Sequence, residues 1–273
     1  MIIEPFRKED TATFLELAAS ERWVSQQWEF EFLLSSFSGG CFCARDETGK
    51  GIGFVTSLLH ERSGWIGNLI VSAEFRGRGV GEALFLRAVH SLREAGAETV
   101  WLTASKTGRD IYEKHGFATI DTIVRWTGFG RQRRAEFDPK TDSIVTSSVN
   151  AIDNQVWGDR RSALLAATAG RGELLIEESG FLVIQPHGDA RQLGPFAALD
   201  NGTAEHIFDA ALRAVPPGSK IFLDAPVSNR SALRLFNRRR MQIFGTNELM
   251  YAGVKPAYRR DLLYGLATMG SCG

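Results

Sequence analysis

The stretch from Trp65 to Ala95 constrains this chain more than any other. An apolar run, Trp65-Ile-Gly-Asn-Leu-Ile-Val71, is followed by Arg76-Gly-Arg-Gly-Val-Gly81 and then by Glu82-Ala-Leu-Phe-Leu-Arg-Ala-Val-His-Ser-Leu92. The first segment has strand composition and the last carries apolar residues at helical spacing, so the order is strand, glycine loop, helix. Glycines let successive backbone N–H groups turn inward with no Cβ in the way, and a helix start adds unpaired donors and partial positive charge. With Arg76 and Arg78 beside those donors, the loop is shaped for a diphosphate better than for a single carboxylate. No Gly-Lys-Ser/Thr ending is present, which argues against a nucleoside triphosphatase loop. Arg76-x-x-Gly79-x-Gly81 is also one residue tighter than the dinucleotide fingerprint. A glycine-rich turn without a ligand is the alternative at this level.

A chain of 273 residues suits two domains of about 130 residues, each large enough for its own core. Net charge is zero, and residues 1–130 carry 14 basic against 17 acidic side chains, too even a balance to point to nucleic acid. No apolar run approaches membrane-spanning length, and charges stand at Glu4, Arg7, Lys8, Glu9 and Asp10, where a signal peptide places its apolar core. The expectation is a cytoplasmic protein with neither nucleic-acid nor membrane partners. Cys41, Cys43 and Cys272 form neither a disulfide framework nor a metal-ligand pattern. Cys41 and Cys43 share one strand face as small core residues, and Cys272 receives no role. No metal is expected.

In chain order, Ile2–Phe6 reads as a strand, Asp10–Ala19 and Gln26–Phe37 as helices, and Cys41–Arg45 and Gly51–Leu59 as a hairpin around Asp46-Glu-Thr-Gly49. The strand that precedes the glycine loop is thus the fourth. Thr99–Ala104 is a fifth, followed by a short helix ending in Tyr112-Glu-Lys-His-Gly-Phe117 and a strand over Ala118–Trp126.

Arg76-x-x-Gly79-x-Gly81 after a fourth strand and Tyr112-Glu-Lys-x-Gly-Phe117 one helix-strand unit later resemble the two signatures of the GNAT family of N-acetyltransferases. The resemblance implies an α+β fold, a mixed and mostly antiparallel sheet that splays between strands four and five, with helices on its faces. It implies acetyl-CoA as co-substrate and an amine of a small molecule or peptide as acceptor. By the same resemblance the backbone of Leu69, Ile70 and Val71 pairs with the pantetheine arm, and Arg76, Gly77, Arg78, Gly79, Val80 and Gly81 hold the pyrophosphate. Ser105 takes the place of a cofactor-contacting Asn, and Tyr112 is the phenol beside the CoA sulfur, placed to donate to the departing thiolate. The helical region with Trp23, Trp28 and Phe32 walls the acceptor cleft in such proteins, which makes Trp28 a substrate-binding candidate, although an aromatic stripe at this spacing also suits a core. Many relatives carry Glu on the fourth strand where this chain has Asn68. Asn cannot be a base; Asn68 orienting a water, His60, Glu61 and the C-terminal half stay open as sources of that function.

Thr127–Gly130 and the charged run to Pro139 read as a linker. Beyond it comes turn and helix over Ala151–Leu165, then strands at Leu174–Ile176, Gly180–Gln185 and Leu193–Leu199. A helix over Thr203–Ala214 and a strand at Lys220–Asp224 complete a repeat of the first half's order. Ser105 to Tyr112 to Phe117 has spacings of seven and five, and so has Asn229 to Phe236 to Met241. The expected division is a catalytic domain over 1–130 and a degenerate copy over 140–273. In the second copy Phe236 lacks the hydroxyl, Arg240 replaces a glycine, and Leu199-Asp-Asn-Gly-Thr203 replaces the phosphate turn with an acidic side chain. That copy is expected to cover the acceptor cleft, form a homodimer surface or stabilise the fold. Arg238, Arg239 and Arg240 suit either an acidic ligand or a solvated helix end. Asp224, at the end of its fifth strand, is the substrate-binding candidate there. Two functional classes follow: an N-acyltransferase, favoured by Tyr112, and a non-catalytic acyl-CoA sensor, favoured by Asn68.

Overall fold

The computed structural model describes residues 1–106, 108–131, 140–142, 145 and 147–273. From residue 132 to 139 the expected linker lies outside the described residues. The first half runs β1 (Ile2–Pro5), α1 (Asp10–Ser20), α2 (Gln27–Phe37), β2 (Phe42–Arg45), β3 (Gly51–Leu59), β4 (Ser63–Val71), α3 (Val80–Glu94), β5 (Thr99–Ala104), α4 (Arg109–Lys114) and β6 (Ala118–Phe129). The second runs β7 (Lys140–Asp142), α5 (Ser147–Trp157), α6 (Ser162–Arg171), β8 (Glu173–Glu177), β9 (Gly180–His187), β10 (Ala190–Ala198) and α7 (Asn201–Ala214), then β11 (Lys220–Pro226), α8 (Arg230–Arg238), β12 (Gln242–Gly253) and β13 (Leu263–Gly265).

Local sequence explains most of these elements. In α3, Val80, Leu84, Phe85, Ala88 and Leu92 are buried, the stripe that a 3.6-residue period lays against a sheet. Strands β3 and β4 are buried along nearly their whole length because helices cover both faces. One helix expected over 151–165 is two: the chain turns at Gly158, whose φ of +87° and close approach to the Ala257 backbone, 2.9 Å from a would-be Cβ, admit only glycine. Thr127–Phe129, expected in the linker, are instead the last residues of β6, because Phe129, Gly128 and Thr127 pair with Lys220, Ile221 and Phe222 of β11.

Among the described residues the strands form one mostly antiparallel sheet in the order β1-β2-β3-β4-β5-β12-β6-β11-β10-β9-β8-β7, with β13 added against β10. The two halves run outward from a centre in which equivalent strands have changed places. Strand β12, which follows the second copy's short helix, lies antiparallel beside the first copy's β5, from Glu248 opposite Ala104 to Gly253 opposite Thr99. Strand β6, its counterpart, lies beside the second copy's β11. The two exchanged strands also pair with each other, from Gln242 opposite Thr127 to Tyr251 opposite Ala118. Each half therefore completes its sheet with a strand of the other.

The core follows the exchange. Trp65 on β4 and Trp101 on β5 pack against Trp157 of α5 at 6.2 and 4.9 Å between ring centroids, and all three are essentially inaccessible. Beside them the Gly158-Asp-Arg-Arg161 segment clamps the halves. The buried Asp159 carboxylate accepts from the Ser63 amide and hydroxyl at 2.8 and 2.7 Å and from the Arg62 amide at 3.2 Å. Arg161, also buried, makes a bidentate pair with Asp153 and lies 4.1 Å over the Trp157 ring.

Beyond β13 the last residues are buried as well, apart from Gly270. Ser271 hydrogen-bonds Glu29 on the inner face of α2, and Arg171 lies near enough to act on the same carboxyl. Burial is the largest influence on Glu29 and pushes its carboxyl from the ordinary 4.5 up to about 7, against the smaller opposing effects of Ser271 and Arg171. A carboxyl whose folded value is raised holds its proton more tightly when folded. Its contribution to stability is full below about pH 4.5 and is lost as pH rises through 7. Replacing Glu29 with Gln should therefore flatten the stability profile between pH 5 and 8, removing a fall of about 3 kcal/mol. Denaturant titrations at several pH values read this directly, and parallel profiles for the two proteins would contradict it.

Candidate active site

Strands β4 and β5 are parallel neighbours for only three residue pairs, Ser63–Thr99, Gly64–Val100 and Trp65–Trp101. Beyond Trp65 they diverge. The divergence coincides with a bulge: the β3–β4 register slips between Phe54–Ile70 and Thr56–Gly67, and Asn68 takes a φ of +53°. Asn tolerates this left-handed conformation better than most side chains. Its buried amide donates to Thr56 Oγ1 at 3.0 Å. Asn68 is thus tied to β3 as the corner of the bulge, and the strand past it, Leu69 to Val71, faces the gap between the strands with its ladder to β5 ended.

The glycine loop closes the near end of this gap. Gly77 and Gly79 have φ values of +71° and +78°, which explains both glycines. Gly79 is the N-cap of α3, and no side chain caps that helix, so its first-turn donors and partial positive charge face outward. Arg76 is positioned by its Nε donating to the Val71 carbonyl at 2.9 Å and by an ion pair with Glu21 at 2.5 Å. Arg78 leans over the Phe75 ring. Both arginines are exposed.

Tyr112 stands on α4, which docks on α3. Its ring meets Phe85 edge-on at 5.0 Å, and His115 at the end of α4 hydrogen-bonds Glu82 of α3 at 2.7 Å. Burial pushes the phenol up to about 12. Ser105 Oγ accepts the Gly108 amide at 3.3 Å, a contact that helps start α4.

Other sequence candidates have different settings. Trp28 sits at the seam between the halves: its indole donates to Gln26 Oε1 at 2.9 Å and Arg171 of α6 lies 4.0 Å over the ring. Both oxygens of the fully buried Asp224 accept from Arg125 of the exchanged β6 at 2.8 and 2.7 Å. The carboxylate expected to meet an acceptor is therefore committed to a cross-strand ion pair. His60 and Glu61 lie in the β3–β4 turn, at the far end of β4 from the bulge. Glu61 pairs with Arg160. Burial first, and the nearby Arg161 charge second, lower the His60 imidazole to about 3.

The equivalent features of the second copy are filled by the chain itself. Strands β10 and β11 pair in parallel at only two positions, Arg191–Ile221 and Gln192–Phe222, and β13 enters the gap they leave. It pairs antiparallel with β10 through Phe196–Gly265 and Ala197–Leu263, and the Leu266 amide donates to the Asp224 carbonyl at 2.8 Å. At the start of α7 the Asp200 carboxylate accepts the Thr203 amide at 2.9 Å, placing negative charge where α3 presents bare donors. Phe236 is completely buried. The sequence gives no cue to β13: Leu-Tyr-Gly is too short to read as a strand.

Among the described residues no helix is long and apolar enough to cross a membrane, and no cluster of His, Cys, Asp and Glu suits a metal. The holothin acyltransferase of Pseudoalteromonas sp. (strain SANK 73390) is similar to this chain, 22% identical over 75% of the chain and 72% of that protein. An uncharacterized N-acetyltransferase of Methanocaldococcus jannaschii is 26% identical over 44% of this chain and 61% of its own. A Pyrococcus horikoshii structure assigned as an acetyltransferase superposes with a TM-score of 0.89 at 23% identity, over 100% of this chain and 95% of that one. A GCN5-related N-acetyltransferase from Sphaerobacter thermophilus gives 0.62 at 16% identity, over 94% and 98%. At these identities the likeness establishes the fold. Two models described as the acetyltransferase (GNAT) domain match in tandem, at residues 38–119 and 149–265; between them they span well over half of the sequence, and the chain belongs to the GNAT acetyltransferase family.

Proposed function

We propose that this protein is an acetyl-CoA-dependent N-acyltransferase whose N-terminal copy transfers the acyl group directly to an amine of a small molecule or peptide, while the C-terminal copy has no chemistry of its own. The observation that carries this reading is the contrast between the two copies. One has an uncapped helix, two arginines and a splay into which, among the described residues, no strand is inserted; the other has a self-capped helix and a splay filled by β13.

The co-substrate supplies an activated acyl group and a thiol leaving group. Residues Leu69 to Val71 offer the strand side that has lost its β5 partner to its amide-containing arm, in the manner of an added strand. Arg76, Arg78 and the amides at the start of α3 neutralise its pyrophosphate. Asn68 acts as a positioning residue by holding the bulge, since its amide is occupied by Thr56 and has no basic site. When the amine attacks the thioester carbonyl and the carbon–sulfur bond breaks, the electron pair of that bond leaves on sulfur as negative charge, and the proton shed by the amine passes to solvent. Tyr112 keeps its proton at neutral pH because burial lifts it to about 12. Full transfer from such a phenol to a thiolate of ordinary pKa near 8.5 is uphill by about 5 kcal/mol. Tyr112 therefore works chiefly as a hydrogen-bond donor to the developing thiolate, and burial of the sulfur, which raises its own pKa, narrows the gap.

Two outcomes follow. Arg76→Ala and Gly79→Asp should both weaken acetyl-CoA binding, and the second more, by about 10-fold or greater, because a carboxylate enters the diphosphate seat. Nothing lies within 4 Å of a Cβ at Gly79, and Asp tolerates positive φ better than most residues, so that variant should fold. Pantetheine without the diphosphate should bind all three proteins alike. Calorimetry that finds acetyl-CoA affinity unchanged in both variants would remove the loop from the site.

Tyr112→Phe should leave acetyl-CoA affinity and melting temperature nearly intact and lower kcat by about 10- to 10³-fold. The loss should shrink with acyl donors whose leaving thiol is more acidic. Full turnover in the Phe variant would exclude the hydroxyl from the mechanism. Acetyl-CoA binding without CoA release on any amine, by the unmodified protein, would favour the sensor reading.

A further inference from the structure

The segment after β13 crosses from the second splay to the first. Gln185 and Gln192 donate to the Ala267 carbonyl at 2.9 and 2.8 Å. Two residues on, the Thr103 hydroxyl of β5 donates to the Met269 carbonyl at 2.5 Å, and the backbone N–H of Asn68, at the bulge of β4, donates to the Gly270 carbonyl at 3.3 Å. Consecutive carbonyls of one segment thus bridge the two diverging strands of the first copy, next to Leu69 to Val71, assigned above to the amide-containing arm of the co-substrate.

This segment is a fixed wall. Met269 and Cys272 belong to the core shared by the two halves. The Ser271 hydroxyl and Cys272 amide donate to Thr268 Oγ1 at 3.0 and 2.8 Å, and Ser271 meets the buried Glu29. A Cβ at Gly67 would lie 2.4 Å from the Gly270 carbonyl oxygen and 2.6 Å from that of Ser271, so the wall rests on β4 at a distance only glycine allows. Gly270 alone differs. Its neighbours on both sides are buried, it is exposed, and a Cβ built on it would meet nothing within 4 Å. Its backbone lies outside the left-handed region, so the conformation itself accepts a side chain.

We propose that residues 269–271, supplied by the C-terminal copy, form a wall of the acceptor seat of the N-terminal copy, and that Gly270 is a specificity-determining position whose missing side chain leaves the room an acceptor amine occupies. The inference rests on the acyltransferase reading above. It also gives the degenerate copy a role in acceptor choice, through backbone and shape.

The test is a graded series, Gly270→Ala, Gly270→Val and Gly270→Leu. Each protein is assayed for CoA release from acetyl-CoA with glycinamide, spermidine and benzylamine, for acetyl-CoA affinity by calorimetry, and for melting temperature. The expected result is an unchanged melting temperature and acetyl-CoA affinity across the series, with kcat/KM for the amines falling stepwise. The fall should exceed 10-fold for Gly270→Leu and be steepest for the widest amine the unmodified protein accepts. Equal kcat/KM across the series overturns the proposal, and so does acetyl-CoA affinity falling in step with activity, which would place residue 270 on the co-substrate. An unmodified protein that releases no CoA with any of the amines overturns the acyltransferase reading and this inference with it, a pattern distinct from either of the others.

Discussion

The structure depends on the pairing of β12 with β5 and β6. An edge strand leaves a row of backbone donors and acceptors without partners, and in this arrangement it is β12 that keeps β5 from being one. Strand β12 satisfies it over six residue pairs, while β6 does the same for β11 over seven. The exchange joins two copies of one fold into a single sheet and forces their helices onto a common core, where Trp65, Trp101 and Trp157 meet. It also sends the chain, after β12, back across the face of both splayed strand pairs, which is why one short terminal segment reaches both clefts.

From that path comes the difference between the copies. The same fold provides two gaps, each opened by parallel strands that part after two or three pairs. In the second, β13 takes the backbone positions that a ligand arm would need, and Asp200 neutralises the helix end that a diphosphate would seek. In the first, the uncapped α3 leaves its donors free and, among the described residues, no strand is added along Leu69 to Val71, while the terminal segment touches the bulge itself and Thr103 of β5. A few backbone hydrogen bonds and one carboxylate therefore separate a cleft with no inserted strand from one closed by its own chain. The committed Asp224–Arg125 pair belongs to the closed copy and ties its fifth strand to the exchanged β6.

The two-copy organisation and the fold were legible in the sequence because each rests on local signals: glycine spacing before an amphipathic helix, and the repeated interval of seven and five residues through Tyr112 and Phe236. The exchange was hidden. Alternation along β6 or β12 tells which side chains face inward, and nothing about which strand lies alongside. Asn68 read as a substituted acid because its positive φ cannot be seen in a sequence, and the reading of Asp224 as a substrate-binding candidate could not take in its pairing with Arg125, which is remote in the chain. Met269-Gly-Ser-Cys-Gly273 has the composition of a frayed end, yet its burial is set by Gly67 and Glu29, two hundred residues away. Glu29 is a related case, a carboxyl on the apolar face of α2 whose hydrogen-bonding partner Ser271 comes from the other end of the molecule.

The central claim is that one cleft of the two is available to an acyl-CoA and the other is occupied by the protein itself. Its most direct measurement is the stoichiometry of acetyl-CoA binding to the whole chain, by calorimetric titration with the protein concentration fixed by amino-acid analysis. The account predicts one molecule per chain, bound at the N-terminal copy. Two molecules per chain, or one whose position in a crystal structure of the complex lies between β10 and β11, would contradict it.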